Sequence, residues 1–280
     1  MQSIRGQGLL SFEGDCVVRE MIDVVFPVLH GENGEDGAMQ GLLQLAGIPY
    51  VGSDVAASAV SMDKTLTKLV ADNEQVTQAQ WILVRSNTLT KYMDEEIVAI
   101  ENKFAYPVFV KPAGTGSSVG VSKAADREQL KKALLEAGKY DSKILVEEFI
   151  KGREIEVAVM GNENPVASVC GEIDSGAEFY DYDAKYVTDT SVAYVPARLD
   201  ETVAEQVRET AIKIYSALEC KGLSRVDFFV TDDNRIVFNE VNTLPGFTSI
   251  SMFPKLFAAS GIPYGQLLDQ LLQLAMEAHK

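Results

Sequence analysis

Arg225-Val226-Asp227-Phe228-Phe229-Val230 leads through Thr231-Asp232-Asp233-Asn234 into Arg235-Ile236-Val237-Phe238-Asn239-Glu240-Val241-Asn242. Runs rich in Val, Ile and Phe around a short Asp/Asn cluster predict a β-hairpin. With an even loop length, odd positions of the first strand share a sheet face with even positions of the second. That face carries Arg225, Asp227, Glu240 and Asn242. Carboxylates, an amide and a guanidinium on an apolar ribbon are costly to bury unless something binds between them. Oxygen ligands of this kind suit a hard divalent cation such as Mg²⁺. A solvated hairpin face with an Arg225–Glu240 ion pair would show the same alternation. The continuation, Thr243-Leu244-Pro245-Gly246-Phe247-Thr248-Ser249-Ile250-Ser251, favours the binding site, because a Pro-Gly turn lined with hydroxyls can offer backbone N–H groups to an anion.

Composition narrows the function classes. The chain has 280 residues, 46% of them hydrophobic, which is enough for two or three modest domains with real cores. A formal net charge of −16 argues against nucleic acid or an anionic membrane as a partner. Any bound phosphate must then be met by local lysines, backbone amides and metal. No stretch is apolar and long enough to span a bilayer, and the start lacks a signal-peptide core, so a cytoplasmic protein without membrane insertion is expected. Cys16, Cys170 and Cys220 are odd in number and widely spaced, suggesting neither disulfides nor a zinc site. With His30 and His279 as the only histidines, metal chemistry has to rest on oxygen ligands.

Earlier in the chain, the apolar run Asp23 to Leu29 predicts a strand buried on both faces. It is followed by the loop His30-Gly31-Glu32-Asn33-Gly34-Glu35-Asp36-Gly37, a helix and a short strand near Tyr50. This is a β-α-β unit of a parallel sheet, whose ligands gather at strand carboxyl ends. Loop solvation and helix capping equally suit His30, Glu35 and Asp36 taken singly. A helix is predicted from Ala56 to Asp72, with Lys64 near its middle as a surface lysine. Another is predicted from Asp94 to Phe104.

The strand Tyr106 to Pro112 ends in Lys111 and runs into Ala113-Gly114-Thr115-Gly116-Ser117-Ser118-Val119-Gly120, a flap suited to phosphates but not a Walker loop. Glu147 and Glu154, flanking a Gly bend, could take ribose hydroxyls or an adenine amino group, or could be solvated edge charges. Phe179 to Tyr186, dense in aromatics and charges, suggests a lid or a packed surface loop. A long helix from Asp200 to Leu218 precedes the hairpin, and helices near Met252–Ala259 and Tyr264–His279 follow it.

Taken in order, these motifs resemble the D-alanine–D-alanine ligases of the ATP-grasp superfamily. The likeness rests on Val28-Leu29-His30-Gly31 with Gly34-Glu35-Asp36-Gly37, Met62-Asp63-Lys64, Val110-Lys111-Pro112 with Gly116 to Gly120, Phe179 to Tyr186, Arg225-Val226-Asp227, and Asn239 to Thr243 with Pro245 to Thr248. The resemblance implies an α/β (α+β) ATP-grasp fold with a truncated Rossmann-like parallel-sheet N-terminal domain over 1–55. A central subdomain over 56–151 and a C-terminal subdomain over 152–280 would carry the lid and metal site. It also implies ATP-dependent joining of two D-alanines through D-alanyl phosphate, for peptidoglycan synthesis, in a homodimer.

Residue by residue, the resemblance makes Asp227, Glu240 and Asn242 the magnesium ligands. Glu240 would bridge two ions, and manganese would be able to substitute. Lys64, Lys111 and Ser118 would bind ATP phosphates, and Glu147 and Glu154 adenine and ribose. Arg225 and the Gly246 amide would stabilise the oxyanion. Ser117 and Tyr186 would order the lid, Lys185 would reach the transferred phosphate, and His30 and Ser251 would meet the two substrates. Tyr186 favours an amine over D-lactate as second substrate. The Gly-Gly-x-Ser-x-Glu loop with which members usually begin has no counterpart, so the chain is expected to start inside the N-terminal domain. An ATP-binding fragment without the first D-alanine site, a ligase using D-serine, and another ATP-grasp carboxylate–amine ligase are the competing readings.

Overall fold

The protein, seen in a computed structural model, is described over residues 9–13, 16–116, 119–174, 192–248 and 250–279. Its strands are β1 (Leu9–Glu13), β2 (Cys16–Glu20), β3 (Trp81–Arg85), β4 (Val108–Pro112), β5 (Ser122–Ala124), β6 (Lys143–Glu148), β7 (Arg153–Gly161), β8 (Val166–Asp174), β9 (Val192–Tyr194), β10 (Gly222–Val230) and β11 (Ile236–Asn242). Its helices are α1 (Ala38–Ala46), α2 (Val55–Met62), α3 (Lys64–Asn73), α4 (Ser86–Lys103), α5 (Arg127–Ala137), α6 (Glu201–Ala217), α7 (Met252–Ala259) and α8 (Tyr264–Ala278).

Two antiparallel sheets dominate. One has the order β3-β6-β4-β5 and buries Val84, Val110 and Val146 against Ile97 and Ile100 of α4 and Leu130 and Leu134 of α5. The other has the order β11-β10-β7-β8-β9 and is covered on both faces. Even positions of β10 and odd positions of β7, such as Val226, Phe228 and Val157, pack on Val207, Ala211 and Ile214 of α6. The opposite face is apolar at one end, where Leu223 and Met160 meet Phe253, Leu256 and Leu267 of α7 and α8. Further along that same face stand Arg225, Asp227 and Glu156. The strand period of two thus splits one ribbon into a core face and a face that turns from apolar to charged.

The parallel unit near the front is shorter than its hydrophobicity suggests. Val25 and Tyr50 form a single parallel bridge, with Val25 N–H donating to the Pro49 carbonyl and Val51 N–H to the Val25 carbonyl, both at 2.9 Å. Pro27 and Pro49 have no N–H to extend the ladder, and Val28 and Leu29 are exposed rather than buried on both faces. This segment docks on the Pro-Gly turn through the edge-to-face pair Phe26–Phe247, with ring centroids 5.0 Å apart, and on the cluster that the turn shares with the C-terminal helices. β1 and β2 pair antiparallel with each other.

The helix predicted over Ala56–Asp72 is two helices. Asp63, at φ −83° and ψ 100°, closes α2, and its carboxylate accepts the N–H groups of Thr65 and Leu66 to start α3. Lys64 therefore sits at a helix start and not mid-helix. α4 begins eight residues earlier than predicted, kinked at Tyr92, because tertiary packing of Leu89 carries a stretch of poor helix formers. Asp200 occupies the N-cap position of α6 without a side-chain capping bond.

Candidate active site

The hairpin brings its polar face together as expected. Arg225 pairs with Asn242 and Asp227 with Glu240. The register then shifts, Phe228 pairing with Phe238, so Asn239 is the extra residue of a β-bulge. Bulges re-aim side chains, and here the Asn239 amide oxygen accepts from the Lys111 ammonium at 3.4 Å. Arg225 is gripped by Asp227, and Glu240 also favours its charged form. Its Nε and Nη2 fork onto the two oxygens of Asp227 at 2.8 and 2.7 Å, with Glu156 at 3.4 Å. Burial alone would lower the guanidinium pKa, but Asp227 and Glu156 more than reverse this and raise it. Glu240 has the Lys64 ammonium at 3.9 Å. The Asn242 side-chain oxygen accepts the Leu244 N–H at 3.0 Å, which fixes the amide at the start of the Pro-Gly turn.

The lysines come from the other side. Lys64 donates to the Thr115 carbonyl at 2.7 Å, joining α3 to the glycine loop, and burial lowers its pKa. Lys111 pairs with Leu145 while Glu147 pairs with Phe109, so Lys111 and Glu147 are diagonal neighbours on one face of the β4–β6 pair. Their side chains meet at 2.6 Å. Glu147 is 4% exposed and its second oxygen lies 2.5 Å from Lys68. Burial would raise the Glu147 pKa, but Lys111 and Lys68 together hold it down to about 2. Glu154 lies on β7 opposite Phe229 and close enough to Lys111 to favour its charged form. Glu148 turns to the sheet edge, where it accepts the Gln80 N–H at 2.9 Å.

The Pro-Gly turn meets the front loop. The His30 Nδ1 lies 3.0 Å from the Leu244 carbonyl. Glu35 is buried, which raises its pKa, and accepts the Gly31 N–H at 2.5 Å. Asp36 instead ties Asn33 and Ala38 by their N–H groups, the capping role open to it from sequence. Ser251 accepts the Thr248 N–H at 3.0 Å. A Cβ on Gly246 would stand 2.7 Å from the Ser251 hydroxyl, so a larger residue there would push that hydroxyl aside.

Arg225, Asp227, Glu240, Asn242 and Lys64 are thus linked by direct contacts or strand pairing, and Lys111 with Glu147 joins them through Asn239. His30, Gly246 and Ser251 belong to the adjoining turn, and Ser117, Ser118, Lys185 and Tyr186 lie outside the described residues. Sequence reasoning passed over three participants. Lys68 follows Lys64 by one helical turn, Asn239 precedes Glu240, and Glu156 falls opposite Asp227 once β7 and β10 pair. Among the described residues no group of three or more His, Cys, Asp or Glu forms a metal centre. The cross-strand Asp227–Glu240 pair supplies oxygen alone, and Asn242 adds an amide oxygen on the same face, a donor set that fits Mg²⁺.

Paired antiparallel sheets holding lysines and an oxygen-ligand hairpin between them define an ATP-grasp enzyme. The profile described as D-ala D-ala ligase C-terminus matches residues 70–273, and that described as D-ala D-ala ligase N-terminus matches residues 7–53. The chain belongs to the D-alanine–D-alanine ligase family. A D-alanine--D-alanine ligase of Acetivibrio thermocellus is 54% identical over 92% of this chain and 69% of its own length. One from Caldicellulosiruptor bescii is 55% identical over 92% of this chain and 71% of its own. The D-alanine-D-alanine ligase structure from Coxiella burnetii superposes with TM-score 0.81 at 39% identity, covering 93% of this chain and 70% of that one. The VanG D-Ala:D-Ser ligase of Enterococcus faecalis gives 0.84 at 40%, covering 92% and 74%. Ligases of this family use ATP and a divalent metal.

Proposed function

We propose that the chain joins two D-alanines at the expense of ATP, and that the hairpin face and the lysines opposite it carry the reaction. Lys64 and Lys111 bind the nucleotide phosphates, with Ser118 of the flap, while Glu147 and Glu154 form the nucleoside side of the site. Asp227, Glu240 and Asn242 hold magnesium. These residues would hold two magnesium ions, with manganese able to substitute. The metal supplies charge neutralisation for the transferred phosphoryl group.

The γ-phosphoryl group passes to a carboxylate oxygen of the first D-alanine, which lies toward His30, and ADP leaves. The amine of the second D-alanine, its carboxylate on Ser251, then attacks the acyl carbon and phosphate departs. Arg225 and the Gly246 N–H stabilise the oxyanion formed on the way, and one such donor is worth roughly 3 kcal/mol of barrier. Ser117 and Tyr186 order the lid that excludes water from the acyl phosphate, and Lys185 reaches the transferred phosphate. Placement on β10 beside Asp227 supports this use of Arg225, because a cation held by two carboxylates is already desolvated and oriented.

The observation that carries the reading is the directly opposed Asp227–Glu240 pair with Lys64 beside it. The test is ADP release with and without D-alanine, together with chromatography of the product. D-alanine-dependent ADP release matched by D-alanyl-D-alanine is the predicted result; nucleotide binding without that dependence would leave an ATP-binding fragment. The likeness to a D-Ala:D-Ser ligase motivates D-serine as the competing second substrate. The product ratio from equimolar D-alanine and D-serine separates the two.

We also assign residues 1–55, 56–151 and 152–280 to an N-terminal, a central and a C-terminal unit. Glu147 and Glu154 then flank the boundary between the last two. A cytoplasmic homodimer consuming cytoplasmic ATP fits a family that makes a peptidoglycan precursor. Among the described residues no helix is long and apolar enough to cross a membrane.

A further inference from the structure

Lys68 is absent from the roles assigned above, and its position calls for one. It lies on α3 one turn after Lys64, so both lysines leave the same face of the helix. Its side chain is 2% exposed and its ammonium is 2.5 Å from Glu147 Oε1 and 3.3 Å from Gln78 Oε1. Gln78 is itself fixed, its Nε2 donating to the Lys68 carbonyl at 2.8 Å and to Asp72 at 2.6 Å. Glu147 Oε2 goes to Lys111 at 2.6 Å.

Two buried ammonium groups therefore share one carboxylate, so Glu147 is not the private partner of Lys111. For stability alone this is a poor arrangement. An apolar residue at 68 would avoid burying a second ammonium beside the Lys111–Glu147 pair. Lys68 is sealed among its partners, while the Lys111 side chain is 16% exposed and also donates to Asn239 of the bulge. Glu240, Glu154 and Lys64 are the other charges acting on Lys111 from the surrounding elements.

We propose that Lys68 is a positioning residue for nucleotide binding: by occupying one oxygen of Glu147 it prevents that carboxylate from neutralising Lys111, whose charge is then presented to the phosphates. The inference rests on the reading of Lys111 as a phosphate-binding lysine. The depressed pKa of Glu147 is in keeping with it, since one carboxylate answers to both cations.

The test uses the full chain with Mg²⁺ and a non-hydrolysable ATP analogue in calorimetry, alongside steady-state kinetics. Lys68→Met should weaken analogue binding by about tenfold or more, the size of one lost charged contact. KM for ATP should rise in step, with KM for D-alanine unchanged. The charge-conserving variant Lys68→Arg keeps a cation on Glu147 Oε1 and should bind within about threefold of the parent chain. A merely structural role for Lys68 would move KM for D-alanine as well. Unchanged binding in Lys68→Met, or binding by Lys68→Arg no better than by Lys68→Met, overturns the proposal. If Lys68→Met does not fold, Lys68→Arg decides alone, and weak binding by it overturns the proposal. Lys111→Met is the separate control. If it binds the analogue normally, the reading of Lys111 fails; if it binds weakly while Lys68→Met does not, only the role of Lys68 fails.

Discussion

Asp227 and Glu240 stand directly opposite each other on β10 and β11, and the register of the pair changes at the very next step. The bulge after them turns Asn239 toward Lys111 from the second sheet. One irregularity in the hairpin thus links the carboxylate pair of one sheet to Lys111 of the other.

Asp63 ties the position of Lys64 to a helix cap. Its carboxylate accepts two backbone N–H groups of α3 and also meets Lys143. Asp63→Ala should cost about 1 kcal/mol for the cap, with a further loss for the Lys143 contact, read by urea unfolding. Because Lys64 opens that helix, KM for ATP should rise severalfold while KM for D-alanine stays constant. A stability loss with no change in KM for ATP would separate the cap from the site.

Glu147 makes stability depend on pH in a defined window. Its pKa falls from 4.5 to about 2 on folding, so its contribution is complete above pH 4.5 and is lost as pH falls toward 2. Glu147→Gln leaves two buried lysines without their carboxylate and should destabilise the chain by about 3–5 kcal/mol at neutral pH. The gap between variant and parent in urea unfolding should close as pH drops through this window. A gap that stays constant down to pH 2 would mean that Glu147 is not the charged partner of Lys68 and Lys111.

Gly246 is constrained by Ser251, since an added Cβ would come within 2.7 Å of the hydroxyl. Gly246→Ala should displace Ser251 and lower kcat/KM for the second D-alanine by about 10- to 100-fold, the range of one lost charged hydrogen bond. Nucleotide affinity should be unaffected. Kinetics at saturating ATP with varied D-alanine distinguish the two effects.

Much of this site was legible in the chain because strand periodicity is rigid. An even loop would put Arg225, Asp227, Glu240 and Asn242 on one face by alternation alone, but five residues separate the paired Val230 and Ile236, and it is the bulge at Asn239 that restores the expected pairing of Asp227 with Glu240. The bulge at Asn239 was not legible, since neither strand carries a Gly or Pro at that step to mark it. The break at Asp63 had a local signal, an Asp before Lys64-Thr65-Leu66, which the hydrophobic pattern on either side obscured. Pairing of Lys68 and Glu156 with residues far along the chain depends on tertiary contacts that no local pattern encodes. The short parallel bridge at Val25 shows the reverse case, an apolar run whose prolines limit the ladder.

The most direct test of the metal-and-phosphate site is the rate of D-alanine-dependent ADP release by Asp227→Asn and Glu240→Gln, compared with the parent chain at saturating ATP and Mg²⁺. Removing one anionic oxygen from a two-carboxylate set should reduce turnover by at least about 100-fold in each, with the fold intact by circular dichroism. Turnover near that of the parent in either variant would contradict the convergence of these side chains on the nucleotide.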